Sequence, residues 1–237
     1  MLNQQQLNHY DSEQLRLSSG EIHYFWWFIQ GSIMEPFTRH QLRHAWGFCE
    51  RHAWGFLIIE SSLRHNYFHG PAILYEDIIG IAHKYLRRGL LTEMSLRFKL
   101  KSKAQCELCE LGYGSHSNSY VREDLVVQYQ NTAYFKIFVQ ETERYWDKWV
   151  CNKCLGREDG GELCRIHFLD EISKGDLTNV KKQIVFISHL FEQLQLYARS
   201  FRWEYHDTET AESKASLLGA IGWCSGWRTF HRIVHDL

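Results

Sequence analysis

The chain lacks several things that would narrow its function at once. Only 2 of its 237 residues are proline, and 44% are apolar with 15% aromatic, which excludes a disordered chain and disfavours a turn-rich sandwich. No stretch reaches the roughly 20 consecutive apolar residues of a membrane-spanning helix. The polar start Met1-Leu-Asn-Gln-Gln-Gln6 has neither the charge nor the apolar core of a signal peptide, so the cytoplasm is the expected compartment. Charge of one sign is also missing: the formal net charge is −1, which argues against a protein whose main work is to hold a polyanion, while leaving a local basic face open. No glycine-rich cofactor loop, nucleophile elbow or nucleic-acid motif is present. A chain of this length can bury a core unaided, so metal is not required by small size.

What the chain does have is cysteine in a pattern. Six of its 7 cysteines fall into four half-sites: Cys49-Glu-Arg-His52, Cys106-Glu-Leu-Cys109, Cys151-Asn-Lys-Cys154 and Cys164-Arg-Ile-His167. Two soft ligands three residues apart can reach one ion, and eight ligands suffice for two closed tetrahedral sites of Cys3His type. Paired cysteines at two-residue gaps in a reducing compartment point to metal rather than to disulfides. Zinc, two ions per chain, fits such ligands without redox chemistry. Loop closure costs least if Cys151, Cys154, Cys164 and His167 form one site across the loop Leu155 to Leu163, leaving Cys49, His52, Cys106 and Cys109 for the other. A crossed pairing of Cys106/Cys109 with Cys164/His167 is the alternative. An iron-sulfur cluster on Cys106, Cys109, Cys151 and Cys154 is a rival cofactor. A thioredoxin-like pair is weaker, since no βαβ pattern surrounds either Cys-x-x-Cys. Four protein ligands per ion leave no open position for water, and Glu50 and Glu107 read as solvated side chains, so the expectation leans away from an enzyme.

The rest of the sequence reads as a mainly α helical bundle with two small zinc-knuckle elements and at most a short β ribbon. A helix is expected over Ile22 to Ile33, containing the buried run Tyr24-Phe-Trp-Trp-Phe28, with Pro36 at the next boundary. Arg43-His-Ala-Trp-Gly-Phe48 recurs as Arg51-His-Ala-Trp-Gly-Phe56, and only the second copy places its histidine, His52, three residues after a cysteine. Phe56, Ile59 and Leu63 then put Cys49 and His52 in the first turn of a helix. A second helix starts at His69-Gly-Pro71 and ends near Gly89. Leu96, Phe98 and Leu100 alternate with Arg97, Lys99 and Lys101, which predicts a strand-like ribbon over Ser95 to Lys103. One long helix is expected over Val121 to Val150. Apolar positions from Leu177 to Phe201, and from Ala220 through Trp227 to Leu237, predict a closing helical hairpin. The run from Gly112 to Ser119 suggests a division into residues 1–111, a linker-like loop at 112–120, and residues 121–237.

Three further features carry weaker signals. Cys224, in Trp223-Cys-Ser-Gly-Trp227, reads as a buried inert thiol on the last helix. The same helix carries His231 and His235 at i, i+4 spacing, which could hold a metal but also suits a helix C-terminus. Lys84, Arg87, Arg88, Arg97, Lys99, Lys101 and Lys103 face Glu93 alone, which fits either a nucleic-acid face or a sheet edge protected by lysines.

The words Gly47-Phe-Cys-Glu-Arg-His52, Cys106-Glu-Leu-Cys109 and Leu163-Cys-Arg-Ile-His167 resemble a family of uncharacterised bacterial proteins that combine Cys-Pro-x-Cys knuckles with Gly-Phe-Cys-x-x-His motifs. Phe201-Arg-Trp-Glu-Tyr205 is similar as well. This chain departs from that pattern in lacking a Cys-x-x-Cys before Cys49 and in carrying the extra pair Cys151/Cys154. The resemblance implies a largely helical metal-binding protein and no particular reaction. Together these readings lead to a zinc-binding interaction or regulatory module, its expected partner another protein. A redox or iron-sulfur protein, and a nucleic-acid-binding protein using residues 84–103, are the alternatives.

Overall fold

Local signals at helix starts set the frame. The computed structural model describes residues 15–63, 67–88, 92–157 and 162–235. Ser18 opens α1 (Ser19–Gln30) with a capping box: its hydroxyl accepts from Glu21 N, and Glu21 Oε2 accepts from Ser18 N at 2.7 Å. Pro36 is the first residue of α2 (Pro36–Ala45), where its missing N–H costs nothing. Cys49 precedes α3 (Glu50–Ser61), and Pro71 sits in the first turn of α4 (His69–Arg88). There follow α5 (Glu93–Leu100), α6 (Glu107–Glu110), α7 (Glu123–Tyr129), α8 (Ala133–Trp146), α9 (Arg165–Ser173), α10 (Val180–Ser200), α11 (Ala211–Ser225) and α12 (Arg228–His235). Among the described residues there is no strand, and only an isolated bridge joins Cys151 to Glu162. None of their helices is long and apolar enough to cross a membrane.

The centre of the bundle is α11. Its sequence is small or apolar all round, and from Ala215 to Ser225 every residue is buried, as expected of a helix with neighbours on all sides. Those neighbours are α10, α8, α4, α3 and α9. Gly222 has no side chain because the Trp227 ring lies directly against its backbone; a Cβ there would collide with the indole. Helices from both sides of the Gly112–Ser119 run pack on one another, α4 against α10 and α5 against α9. The run itself lies against the start of α1, where Ser18 Oγ donates to Gly114 O at 2.8 Å.

Four sequence expectations are corrected. The ribbon over Ser95 to Lys103 is instead α5 and the loop after it. Thr92 caps that helix, and Leu96 and Leu100, four apart, are buried while Phe98 between them is 70% exposed. The apparent period of two was half of a helical period of four. The single helix over Val121 to Val150 is broken at Gln130 to Thr132, where Asn131 Oδ1 accepts from Ala133 N at 2.9 Å and competes with helix continuation. In the first helix Tyr24, Phe25 and Phe28 are buried, but Trp26 and Trp27 are exposed at 43% and 55%. The last apolar stripe spans two helices, so Cys224 belongs to α11 and His231 to α12. Gly89, Leu237 and the side chain of His235 lie outside the described residues.

The break between α11 and α12 is made by Gly226, with φ +112° and ψ 167°. That region is open essentially to glycine alone, and a Cβ would stand 3.0 Å from Glu50 Oε2. Gly226→Ala is expected to destabilise the fold by about 1–3 kcal/mol, measured by denaturant unfolding; an unchanged midpoint would contradict this assignment. A second prediction concerns Glu60 in α3, which is 5% exposed, accepts from Gly70 N through Oε1 at 3.0 Å, and leaves Oε2 without a partner. Burial raises its pKa to about 7. A folded-state pKa above the unfolded one means that the folded chain holds the proton more tightly. The stability this brings is present below the unfolded value and is lost as pH rises through 7. Glu60→Gln is therefore expected to raise stability at pH 8, on the order of 2 kcal/mol, with little effect at pH 4. Equal shifts at both pH values would remove the titration from the account.

Candidate metal centres

All four half-sites use the same local device. Cys49, Cys106 and Cys164 are the N-cap residues of α3, α6 and α9, and Cys151 is that of the 3-10 turn Asn152–Leu155. None of the four caps its helix through sulfur. The extended backbone at the cap and the first turn that follows bring the side chain three residues later onto the same side. The sulfur stays free for another partner, beside helix-start amides that favour negative charge.

The first cluster joins Cys49, His52, Cys106 and Cys109, and the second Cys151, Cys154, Cys164 and His167; within each, the ligand atoms lie within 4.8 Å of one another. In the first, His52 Nδ1 stands 3.2 Å from Cys49 Sγ, 3.3 Å from Cys106 Sγ and 3.4 Å from Cys109 Sγ, and the Cys49 and Cys109 sulfurs are 3.6 Å apart. In the second, His167 Nδ1 stands 3.3 Å from Cys151, 3.5 Å from Cys154 and 3.3 Å from Cys164, with Cys154 and Cys164 3.6 Å apart. An ion at about 2.3 Å from each sulfur would set sulfur–sulfur edges of about 3.8 Å, close to those seen. A disulfide would need about 2.05 Å, and all seven cysteines are free. Each cluster is a closed Cys3His set that could hold a metal ion.

Protons are shared unequally within both clusters: neighbouring cysteines push the Cys49 and Cys154 thiols up and pull Cys106 and Cys151 down. Hydrogen bonding to Cys109 and Cys49 holds the Cys106 thiol well below the ordinary range, and Cys154 and Cys164 do the same for Cys151. Burial works against charge on His52, yet Cys106, Cys109 and Glu21 raise its pKa to about 11, and Cys151 and Cys164 raise that of His167 to about 10. Crowded groups that share protons in this way exchange them for a metal when one binds.

Behind the first cluster stands a residue that spacing alone did not reveal. Glu21, fully buried, contacts His52 Nε2 through Oε1 at 3.0 Å, and Arg51 donates to both its oxygens at 2.7 and 3.0 Å. Burial opposes its charge, but His52 and Arg51 hold its pKa down at about 2. A carboxylate on the far nitrogen of a ligating histidine fixes ring orientation and tautomer. The one readable signal was Ser18-x-x-Glu21, which marks a helix start and says nothing of His52. Glu50 is corrected from a solvated side chain to a helix cap, since its Oε1 accepts from Thr229 N at 2.7 Å. Glu107 is likewise half-buried, beside Tyr24. At the second cluster Arg165 is 6% exposed and donates to Cys224 O and Leu100 O.

The local pairing holds and the crossed pairing does not. Cys106 and Cys109 are in one cluster and Cys151 and Cys154 in the other, so the four-cysteine iron-sulfur set is not assembled. Cys224 is 1% exposed and apart from both clusters, its thiol pushed up to about 12 by burial. His44 is also outside them, its ring tilted against that of His40 with centroids 4.2 Å apart. A groove of about 1040 Å³, lined by Ile33, Arg39, Glu60 and Arg199 among others, contains no cluster ligand. Compared with known proteins, the chain matches no family model, no curated protein and no solved structure.

Glu21→Gln keeps the shape of the side chain and removes its charge. It is expected to weaken metal binding at the first cluster by about 10–100-fold and to leave the second unchanged, in a competition titration against a chromogenic chelator. Equal losses at both clusters would indicate general destabilisation instead.

Proposed function

We propose that this protein is a zinc-binding helical module, with two structural zinc ions per chain, that acts in the cytoplasm through interaction with a partner rather than through catalysis. The observation that carries the reading is closure: each cluster supplies four protein ligands and leaves no position for water. In the first cluster, the far nitrogen of His52 is also engaged by Glu21, so the imidazole is not free to move a proton. Zinc suits three thiolates and one imidazole in a tetrahedron and needs no electron partner.

A structural role follows from where the ligands lie. Each cluster ties together segments far apart in sequence or separated by an irregular loop, and metal binding free energy at such sites becomes folding free energy. Elemental analysis of protein purified without oxygen is expected to give two zinc ions per chain, and Cys49→Ser and Cys164→Ser each to lose one. Chelation should lower the unfolding temperature and reduce helical circular dichroism. Fewer than one zinc per chain in a protein that stays folded after chelation would refute the proposal. Iron with a broad visible absorbance would assign the clusters to redox chemistry instead.

A further inference from the structure

The basic residues singled out in the sequence gain a different meaning in three dimensions. With α5 a helix, there is no sheet edge for the lysines to protect. They gather around the C-terminal half of α4 in two clefts. One, about 150 Å³, is lined by His44, Tyr85, Lys99, Lys101 and Lys103, with Arg43 at its rim. The other, about 460 Å³ on the far side of α4, is lined by His83, Lys84, Arg87, Arg88 and Phe191. Arg43 is committed to Asp77 by two bonds of 2.8 and 3.0 Å, and Arg97 to Glu93. Lys84, Arg87, Arg88, Lys99, Lys101 and Lys103 have no ion-pair partner among the described residues.

Helix ends explain only part of this charge. The C-termini of α2, α4 and α5 all point here, each presenting about half a negative charge, so roughly one and a half charges stand against six unpaired cations. Lys101 is the C-cap of α5, and Lys103 lies two residues beyond it on the end of α2. Exposed aromatic surface is interleaved with the cations: Lys99 Nζ lies 5.8 Å from the Tyr85 ring centroid, and Lys103 Nζ 4.6 Å from that of Phe98, which is 70% exposed. A single small anion would need one cleft. Two cationic clefts, each with an aromatic ring in its lining, suit an evenly charged polymer that carries flat rings.

We infer that this face binds single-stranded nucleic acid, the lysines and arginines on either side of α4 taking the phosphates and Phe98 and Tyr85 offering stacking faces. The inference rests on the zinc reading for its geometry. Residues 101–105 are held on the end of α2, where Lys103 N donates to His44 O at 2.8 Å, and run straight into Cys106 of the first cluster.

The test is fluorescence anisotropy of the full chain with a labelled single-stranded oligonucleotide, its duplex, and poly-glutamate, with zinc content measured on every preparation. Binding to the single strand should weaken as salt rises. K99E/K101E/K103E should weaken it at least tenfold, reduce the slope of log affinity against log salt by about two, and retain both zinc ions. Phe98→Ala, at an exposed position, should weaken binding with the salt slope unchanged. If the triple variant loses zinc or fails to fold, K84Q/R87Q/R88Q, remote from the cysteines, gives the same reading. Absence of binding at 50 mM salt, unchanged binding in the charge variants, or equal affinity for poly-glutamate would overturn the inference. Loss of zinc without loss of binding would instead count against the metal proposal alone.

Discussion

The turn from Cys224 to Thr229 is held from both metal clusters at once, and the arrangement of the bundle depends on it. From the first cluster's side, Ser225 Oγ donates to Phe48 O at 2.9 Å, Trp54 Nε1 donates to Gly226 O at 3.0 Å, and Glu50 accepts from Thr229 N. From the second, Arg165 donates to Cys224 O, and Arg228 donates to Cys154 O at 3.3 Å. Glu50 and Arg165 lie between the two ligands of their own half-sites. The residues that separate the ligands are therefore the ones that fasten each site to the centre of the fold. A helix N-terminus at Thr229 and a helix C-terminus at Cys224 both receive charged caps, where unsatisfied backbone groups make such caps most valuable.

This wiring also accounts for buried charge. Among the described residues Arg165 forms no ion pair with a carboxylate; it is satisfied by carbonyls and lies 5.4 Å from the Trp46 ring. Burial lowers its pKa, and the neighbouring Cys224 and Cys164 sulfurs act in the opposite direction. On the zinc reading, three thiolates and one dication leave each site with a net negative charge. Arg165 offsets it at the second site, while at the first Arg51 is paired with Glu21. Removing one member of such a set strands the others in a low dielectric, which costs more than the set gains by being there.

What could be read from the sequence was what is encoded locally. Ligand spacing, the helix starts at Cys49 and Cys164, Pro36 and the stripe of α10 each lie within a few residues of what they determine. The α5 segment shows the limit: Leu96, Phe98 and Leu100 alternate in one dimension, and only the burial of Leu96 and Leu100 with Phe98 left outside distinguishes helix from strand. The helix break at Asn131 turned on a single side-chain amide. Glu21, Glu50 and Arg165 could not be identified, because their partners lie 31, 179 and 59 residues away. Those separations are set by packing around α11, and a single sequence carries no mark of them.

On the reading proposed above, the clusters are supports rather than reactive centres. A reactive site needs a position that substrate can reach and a group whose proton can move. Here the second cluster's three cysteines are buried, while in the first Cys49 is half-buried and only Cys109 is exposed. In the first cluster the imidazole's free nitrogen is tied to a carboxylate that is itself tied to Arg51 and to the start of α1. The hydrogen bonds traced outward from His52 run through Glu21 and Arg51 to the start of α1 and to Arg16 O. Such contacts transmit position. What the first cluster positions most directly is the short segment after α5 that brings Lys101 and Lys103 against the end of α2. Lys101, Lys103 and the cluster residues Cys106 and Cys109 thus belong to one continuous length of chain.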